Sequence, residues 1–221
     1  MTRRVGFVGL LMACCATVFS ISAAAATIWD NGAPSGQIGS RDIGSTAIIQ
    51  TWDSFTVSGA PVKMNVVTFG AWLDQGDSLL LVNLDIYTQP DNGGSFVFGT
   101  LATTAQSNCS TNSLNASVCH ETVDLHGAGP TLAAGTYWLR LYNGATQGGS
   151  TTASWDINEG AGCTSPGCPS QAVDKTGGPI PSESFTIYSD VGLQPAPESG
   201  SLVLLGAGVM GLVGAVRRKV R

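Results

Sequence analysis

Four groups of residues in this 221-residue chain have the types and spacing to react or to bind. The first is a set of thiols. Cys109 and Cys119 flank a Ser- and Asn-rich stretch, and Cys163 and Cys168 flank Thr164-Ser165-Pro166-Gly167. Four cysteines allow three connectivities, and local pairing within each couple is favoured because each brackets its own turn. A zinc site takes closer cysteine pairs with histidine at hand, whereas His120 and His126 lie near one pair only. The second group is carboxylates: Asp74, Asp77, Asp156 and Glu159 stand in expected loops. Hydrolysis of a glycosidic bond needs two such groups across a cleft, a separation that spacing along the chain does not supply. The third group is histidine. His120-Glu121 is followed by Thr122-Val123-Asp124, so the second histidine of a zinc-protease helix is absent, and no Gly-x-Ser-x-Gly elbow occurs. His126 reads as a lone surface side chain. No catalytic residue is assigned, and the chain is expected not to be an enzyme.

The fourth group is aromatic. In Thr136 to Tyr142, strand alternation puts Trp138, Arg140 and Tyr142 on one face and Tyr137, Leu139 and Leu141 on the other. Aromatic faces stack on the apolar side of a pyranose while polar neighbours bond its hydroxyls, so the first face would suit a sugar, with Trp52, Trp72 or Trp155 as possible neighbours. The competing expectation is a strand buried on both faces, with Arg140 reaching a carboxylate such as Asp156. No cofactor is expected; the one metal weighed is a structural calcium, for which Asp91-Asn92-Gly93 and the turn from Asp74 to Asp77 offer hard oxygen ligands. Asp and Asn serve turns for backbone reasons as well.

The elements that must position these residues read as strands. Glycine numbers 29, no stretch sustains a 3.6-residue period, and short alternating or apolar runs recur. They are Thr46 to Gln50, Ser54 to Val57, Val62 to Leu73, Leu79 to Thr88, Phe96 to Thr104, Val118 to Leu125, Thr136 to Tyr142, Thr151 to Ile157 and Ser184 to Tyr188. In Leu81 to Thr88, Val82, Leu84 and Ile86 should face the core, opposite Asn83, Asp85 and Tyr87. Turns such as Asp74-Gln75-Gly76-Asp77 and Asn143-Gly144 separate the runs. The spacing predicts an all-β domain over residues 27–190, an antiparallel β-sandwich of jelly-roll-like kind with about nine strands.

Charge is distributed unevenly. Residues 27–190 hold fourteen carboxylates against Arg41, Lys63, Arg140 and Lys175, a net charge of -10. Phosphate backbones are bound by clustered Lys and Arg, so no nucleic-acid partner is expected. The remaining bases sit at the ends. Residues 1–26 run from Arg3 and Arg4 through an apolar stretch to Ala23-Ala24-Ala25-Ala26, the pattern of a secretory signal peptide, which makes signal peptidase the first processing partner. Residues 191–198 form a linker, Gln194-Pro195-Ala196-Pro197-Glu198, and residues 199–221 an expected single transmembrane helix with a basic tail. Its apolar run, Ser201 to Val216, spans about 24 Å as a helix, short of the roughly 30 Å hydrocarbon core. Arg217, Arg218, Lys219 and Arg221 would stop transfer and keep that end cytoplasmic.

Pro197-Glu198, then a Gly-rich apolar span, then a terminal Arg cluster, in that order, resemble a PEP-CTERM sorting segment. Ser199 stands where the second proline of the family's Pro-Glu-Pro would be. The phrase from Leu132 to Leu139 also resembles a strand phrase common in exported bacterial β-sandwiches. The resemblance implies export, transient anchoring in the inner membrane of a Gram-negative bacterium, processing by an exosortase, and release to the cell surface or an extracellular polysaccharide matrix. The expectation is a non-catalytic surface or matrix protein; the alternatives are a carbohydrate-binding module and, behind it, a glycan-active hydrolase.

Overall fold

The computed structural model describes residues 26–44, 50–90, 93–150 and 152–189, and these form an all-β unit. Fourteen strands are described among these residues. They are β1 (Thr27–Asp30), β2 (Gly39–Asp42), β3 (Thr51–Val57), β4 (Val62–Leu73), β5 (Leu79–Tyr87), β6 (Phe96–Thr103), β7 (Ala105–Thr111), β8 (Ser117–Asp124), β9 (Thr131–Leu132), β10 (Gly135–Thr146), β11 (Ser154–Ile157), β12 (Ala172–Asp174), β13 (Pro179–Ile180) and β14 (Phe185–Ser189). The eight apolar or alternating runs within the described residues that were expected to be strands are strands. The six others, β1, β2, β7, β9, β12 and β13, are short or polar and carry no alternation to betray them; β7 occupies part of the Ser- and Asn-rich stretch that reads as a loop. Residues 46–49 of the first expected run lie outside the described residues. So do the signal peptide up to Ala25, Pro197 and Glu198, and the tail bases Arg217, Arg218, Lys219 and Arg221. Among the described residues, no helix is long and apolar enough to cross a membrane.

The strands make two antiparallel sheets, one of eight strands and one of six in the order β13-β12-β3-β10-β5-β6. Each has a twelve-residue spine. In the larger sheet β4 pairs with β8 along Val66 to Leu73 and with β14 along Met64 to Phe69, so these two strands take opposite edges. In the smaller sheet β10 lies between β3 and β5. The chain passes from one sheet to the other at Thr104, between β6 and β7. There the Thr104 hydroxyl donates to the Leu79 carbonyl at 2.5 Å, and its amide donates to the Leu80 carbonyl at 3.1 Å.

The alternating faces of both sheets feed one core. Val82, Leu84, Ile86, Leu139 and Leu141 from the six-stranded sheet meet Val67, Phe69, Val123, Trp155 and Phe185 from the other. Trp155 contacts Phe69 and Phe185 edge-on, at ring separations of 6.5 and 5.8 Å, and its indole nitrogen donates to the Ser184 carbonyl at 2.9 Å. Each such apolar side chain contributes about 1.5–3 kcal/mol by leaving water. The disulfides join Cys109 to Cys119, linking β7 to β8, and Cys163 to Cys168 within one loop, the local pairing favoured by the spacing. Sequence separations of 10 and 5 close short loops, worth about 2–3 kcal/mol apiece in the chain-entropy picture.

Three carboxyl groups lie in this interior. Asp53 on β3 and Glu183, just ahead of β14, meet where the sheets adjoin, and the Asp53 carboxylate accepts the Glu183 amide at 2.7 Å. Burial pushes Asp53 up to about 6, against hydrogen bonds from Ser170 and Glu183. Burial, with the Asp53 carboxylate beside it, holds Glu183 well above the carboxylate range despite Arg41 nearby. Glu121 points inward from β8, both oxygens without a hydrogen-bond partner, and burial pushes it up to about 7 against a pull downward from Thr104. A carboxyl whose folded pKa is raised stabilises the fold below its unfolded pKa, and that contribution is lost as pH rises through the folded value.

The melting temperature should therefore fall as pH rises from about 5 to about 8, and a rise across that window would contradict the burial of these groups as charges-in-waiting. Glu121→Gln should recover on the order of 3 kcal/mol at the upper end and flatten the profile. Non-reducing peptide mapping should recover Cys109 linked to Cys119 and Cys163 linked to Cys168.

Candidate functional site

The outward face of the six-stranded sheet carries the polar and aromatic residues that alternate with the core set. Register fixes which of them meet. On β10, Arg140 stands between Trp52 of β3 and Asp85 of β5, and Tyr142 stands opposite Asn83. On the far side of β5, Asp85 faces Gly99 of β6, Asn83 faces Leu101, and Tyr87 faces Phe96 across a register shift. The six-stranded sheet ends at β6.

Arg140 organises this face. Its Nη2 donates to Asp85 Oδ2 at 2.5 Å, its Nη1 donates to Gln50 Oε1 at 2.9 Å, and the residue as a whole is 8% exposed. Three rings surround the cation, with centroids 4.0 Å away for Tyr142, 5.4 Å for Tyr87 and 5.6 Å for Trp52. Planar, weakly hydrated guanidinium suits such stacking where an ammonium would not. The Tyr87 hydroxyl donates to the same Asp85 oxygen at 3.2 Å. Burial and the Asp85 charge outweigh the Arg140 cation and hold the Tyr87 phenol above its ordinary value, so it remains a donor.

Above this pair lies an open groove of 440 Å³, walled by Tyr87, Phe96, Leu101 and Tyr142 and floored by Asp85 and Arg140. Tyr87 and Phe96 meet edge to face at 5.6 Å, while Phe96 and Leu101 are each 60% exposed. Gly99 keeps the floor open: a Cβ there would strike Asp85 Oδ1 and the Phe96 ring.

Of the three residues singled out on β10, Arg140 and Tyr142 line the groove, and Trp138 stands half-buried on the same face beyond it. Trp52 is a neighbour as expected, but it lies fully buried beneath Arg140. Trp72 and Trp155 belong to the other sheet. Asp156 is not the partner of Arg140. It is buried in the eight-stranded sheet, where Ser35 N, Gly36 N and Trp72 Nε1 donate to it at 2.7, 2.9 and 2.6 Å. Asp85, Tyr87, Asn83 and Phe96 were missing from the candidate set. The alternation in β5 places the first two with Asn83 on one face, but only the pairing of β5 with β10 and β6 puts them against Arg140.

The other candidates are engaged in holding the fold. Asp74 accepts the Ser150 hydroxyl at 2.6 Å and the Thr152 hydroxyl at 3.0 Å; Asp77 accepts the Gly148 amide at 2.7 Å and the Ser78 amide at 2.8 Å. Such donors outweigh burial and hold Asp77 below its ordinary value. These carboxylates thus tie one loop to another, and Asp91 and Asn92, the second calcium candidate, lie outside the described residues. No group of three or more His, Cys, Asp or Glu among the described residues is placed to hold a metal ion. His126 is exposed beside Asp124 at 3.4 Å. His120 and Glu121 point to opposite sides of β8. The former lines a 280 Å³ cleft with Asp30 and Ser184, but Asp30 already accepts from Gly32 and Thr164, and Ser184 Oγ accepts the Gly70 amide at 3.2 Å.

Removing one member of a buried ion pair leaves the other without compensation, so Asp85→Ala should cost about 3–5 kcal/mol in a denaturant melt. Tyr87→Phe, which deletes one long hydrogen bond to a carboxylate, should cost less, near the lower end of about 1.5–3 kcal/mol. Equal losses would mean that Asp85 is held by the phenol rather than by Arg140. No protein-family model matches the chain, and no curated protein compared with it is significantly similar.

Proposed function

We propose that this is an exported, non-catalytic protein of the cell surface or extracellular matrix, its residues 27–190 a β-sandwich of jelly-roll-like kind. The observation that carries the reading is the pair of local disulfides, which fits folding in an oxidising compartment. The signal-peptide pattern at residues 1–26 and the sequence pattern of the tail supply the route: signal peptidase at one end, and at the other arrest in the inner membrane followed by exosortase processing near Pro197 and Glu198. The engagement of Asp30, Asp74, Asp77 and Asp156 in structural hydrogen bonds supports a holding rather than a reacting role for these carboxylates.

A second reading, binding of an extracellular polysaccharide, is favoured by one feature, the groove over the Asp85–Arg140 pair. Aromatic and aliphatic walls around a few fixed polar groups are the composition of a small-ligand site. The two readings are compatible, since a matrix protein must hold to something.

Mass spectrometry of the protein recovered from the surface or matrix of a host that has an exosortase tests the first reading. The expected product begins near Thr27 and ends near Pro197. An intact C-terminus at Arg221 would make the tail a permanent anchor. Replacing Arg217, Arg218, Lys219 and Arg221 with Ser should weaken membrane retention of the precursor, because the cluster opposes transfer through the hydrocarbon core.

A further inference from the structure

We propose that the groove above Asp85 and Arg140 binds uncharged pyranose chains and discriminates against uronate-containing ones; this rests on the polysaccharide reading of that site. A carboxylated sugar needs a cation with donors to offer. Of Arg41, Lys63, Arg140 and Lys175, the four cations among the described residues, only Arg140 lines the groove. Each terminal nitrogen has one hydrogen bond, to Asp85 and to Gln50, while Nε is buried without a partner; the charge is balanced by the Asp85 carboxylate at the floor and the side chain is nearly enclosed by rings, so it is the charge balance and burial that withhold it from an incoming anion. The guanidinium therefore acts as a rigid, stacked support for the rings around it rather than as an anion receptor. An incoming carboxylate would meet Asp85 at short range and, at longer range, a domain carrying a net charge of -10.

A neutral pyranose meets none of this repulsion. Its apolar ring face has partners in Tyr142, which is stacked on Arg140 at 4.0 Å and half-buried at the groove wall, and in Phe96 and Leu101, each 60% exposed. Its hydroxyls have partners in the Asn83 amide, which lines the groove, and in Asp85 Oδ1, the oxygen turned toward Gly99. The apolar walls and the fixed acceptors stand on neighbouring strands, so a single ring can use both. The groove is shallow and open to solvent, a shape suited to one stretch of an extended chain, and it lies against β6, where the six-stranded sheet ends and a longer chain can continue past it.

Equilibrium binding of the full chain in zwitterionic detergent decides the matter, with soluble mannan, xyloglucan and mixed-linkage glucan in one arm and polygalacturonate and alginate in the other. The expected result is binding to a member of the neutral arm that is unchanged by added salt, since no screened ion pair contributes. Tyr142→Ala should weaken it about tenfold or more. Asn83→Ala should weaken it with the melting temperature unchanged, which separates loss of a ligand contact from loss of fold. Salt-sensitive binding to the acidic arm alone would overturn the selectivity while leaving the polysaccharide reading intact. Binding to neither arm would remove both, and neutral binding indifferent to Tyr142→Ala and Asn83→Ala would place any glycan site elsewhere and overturn the inference.

Discussion

The constraint from which the rest of the six-stranded sheet follows is the burial of a guanidinium on a strand whose other side is core. Leu139 and Leu141 fix the inward face of β10 by hydrophobic burial, and pleat parity then forces Arg140 outward. A buried cation without a partner costs several kcal/mol, so the neighbouring strand must present a carboxylate at that register, and Asp85 does so. A slip of one residue between β5 and β10 would put Asp85 into the core and leave Arg140 without a partner, so the ion pair and the apolar alternation select the same register. The rings of Trp52, Tyr87 and Tyr142 then cover the cation, and the groove is the space left between Tyr87 and Tyr142 with Phe96 and Leu101 of β6.

The eight-stranded sheet solves a different problem. Its spine, β4, is covered on both edges, and between β6 and β7 the chain crosses into it from the other sheet at one turning residue, Thr104, whose donors are satisfied by Leu79 and Leu80. Close to that corner the Cys109–Cys119 bridge fastens the polar strand β7 to β8, compensating for a strand with little apolar surface to bury. The interior carboxyls Asp53, Glu183 and Glu121 run against the usual pattern, in which folded carboxylates gain stability from ionisation. Here burial favours the protonated form, so mildly acid surroundings suit the fold better than alkaline ones. If the domain is exported as proposed, it meets the pH of its surroundings directly, which gives this chemistry a consequence for where the protein is most stable.

These features divide the molecule by role. The carboxylates that first suggest hydrolysis are engaged by hydrogen-bond donors in loops and at the ends of strands, while the groove holds a neutralised ion pair among aromatic walls. Export and matrix residence, proposed from the ends of the chain, and glycan contact, proposed from the sheet, fit one protein in which anchoring and adhesion are carried by separate segments.

Much of the fold was legible in the chain. Alternation in Leu81 to Thr88 assigned the correct inward residues and in Thr136 to Tyr142 the correct division into faces, because side-chain direction in a strand has a fixed period of two. The two cysteine pairs were legible for a similar reason, each closing a short segment of its own. Polar or very short strands such as β2, β7 and β12 were not, since their place is set by backbone pairing with neighbours far along the chain. The site was half legible: Trp138, Arg140 and Tyr142 share a face as the alternation requires, but the partner of Arg140 depends on which strand lies beside β10. Asp156, nearer in sequence, went to the other sheet, and Asp85, 55 residues away, became the counter-ion. Local sequence determines which way a side chain points; only the tertiary pairing of strands determines what it points at, because hydrogen-bonded register joins residues that the linear chain keeps far apart.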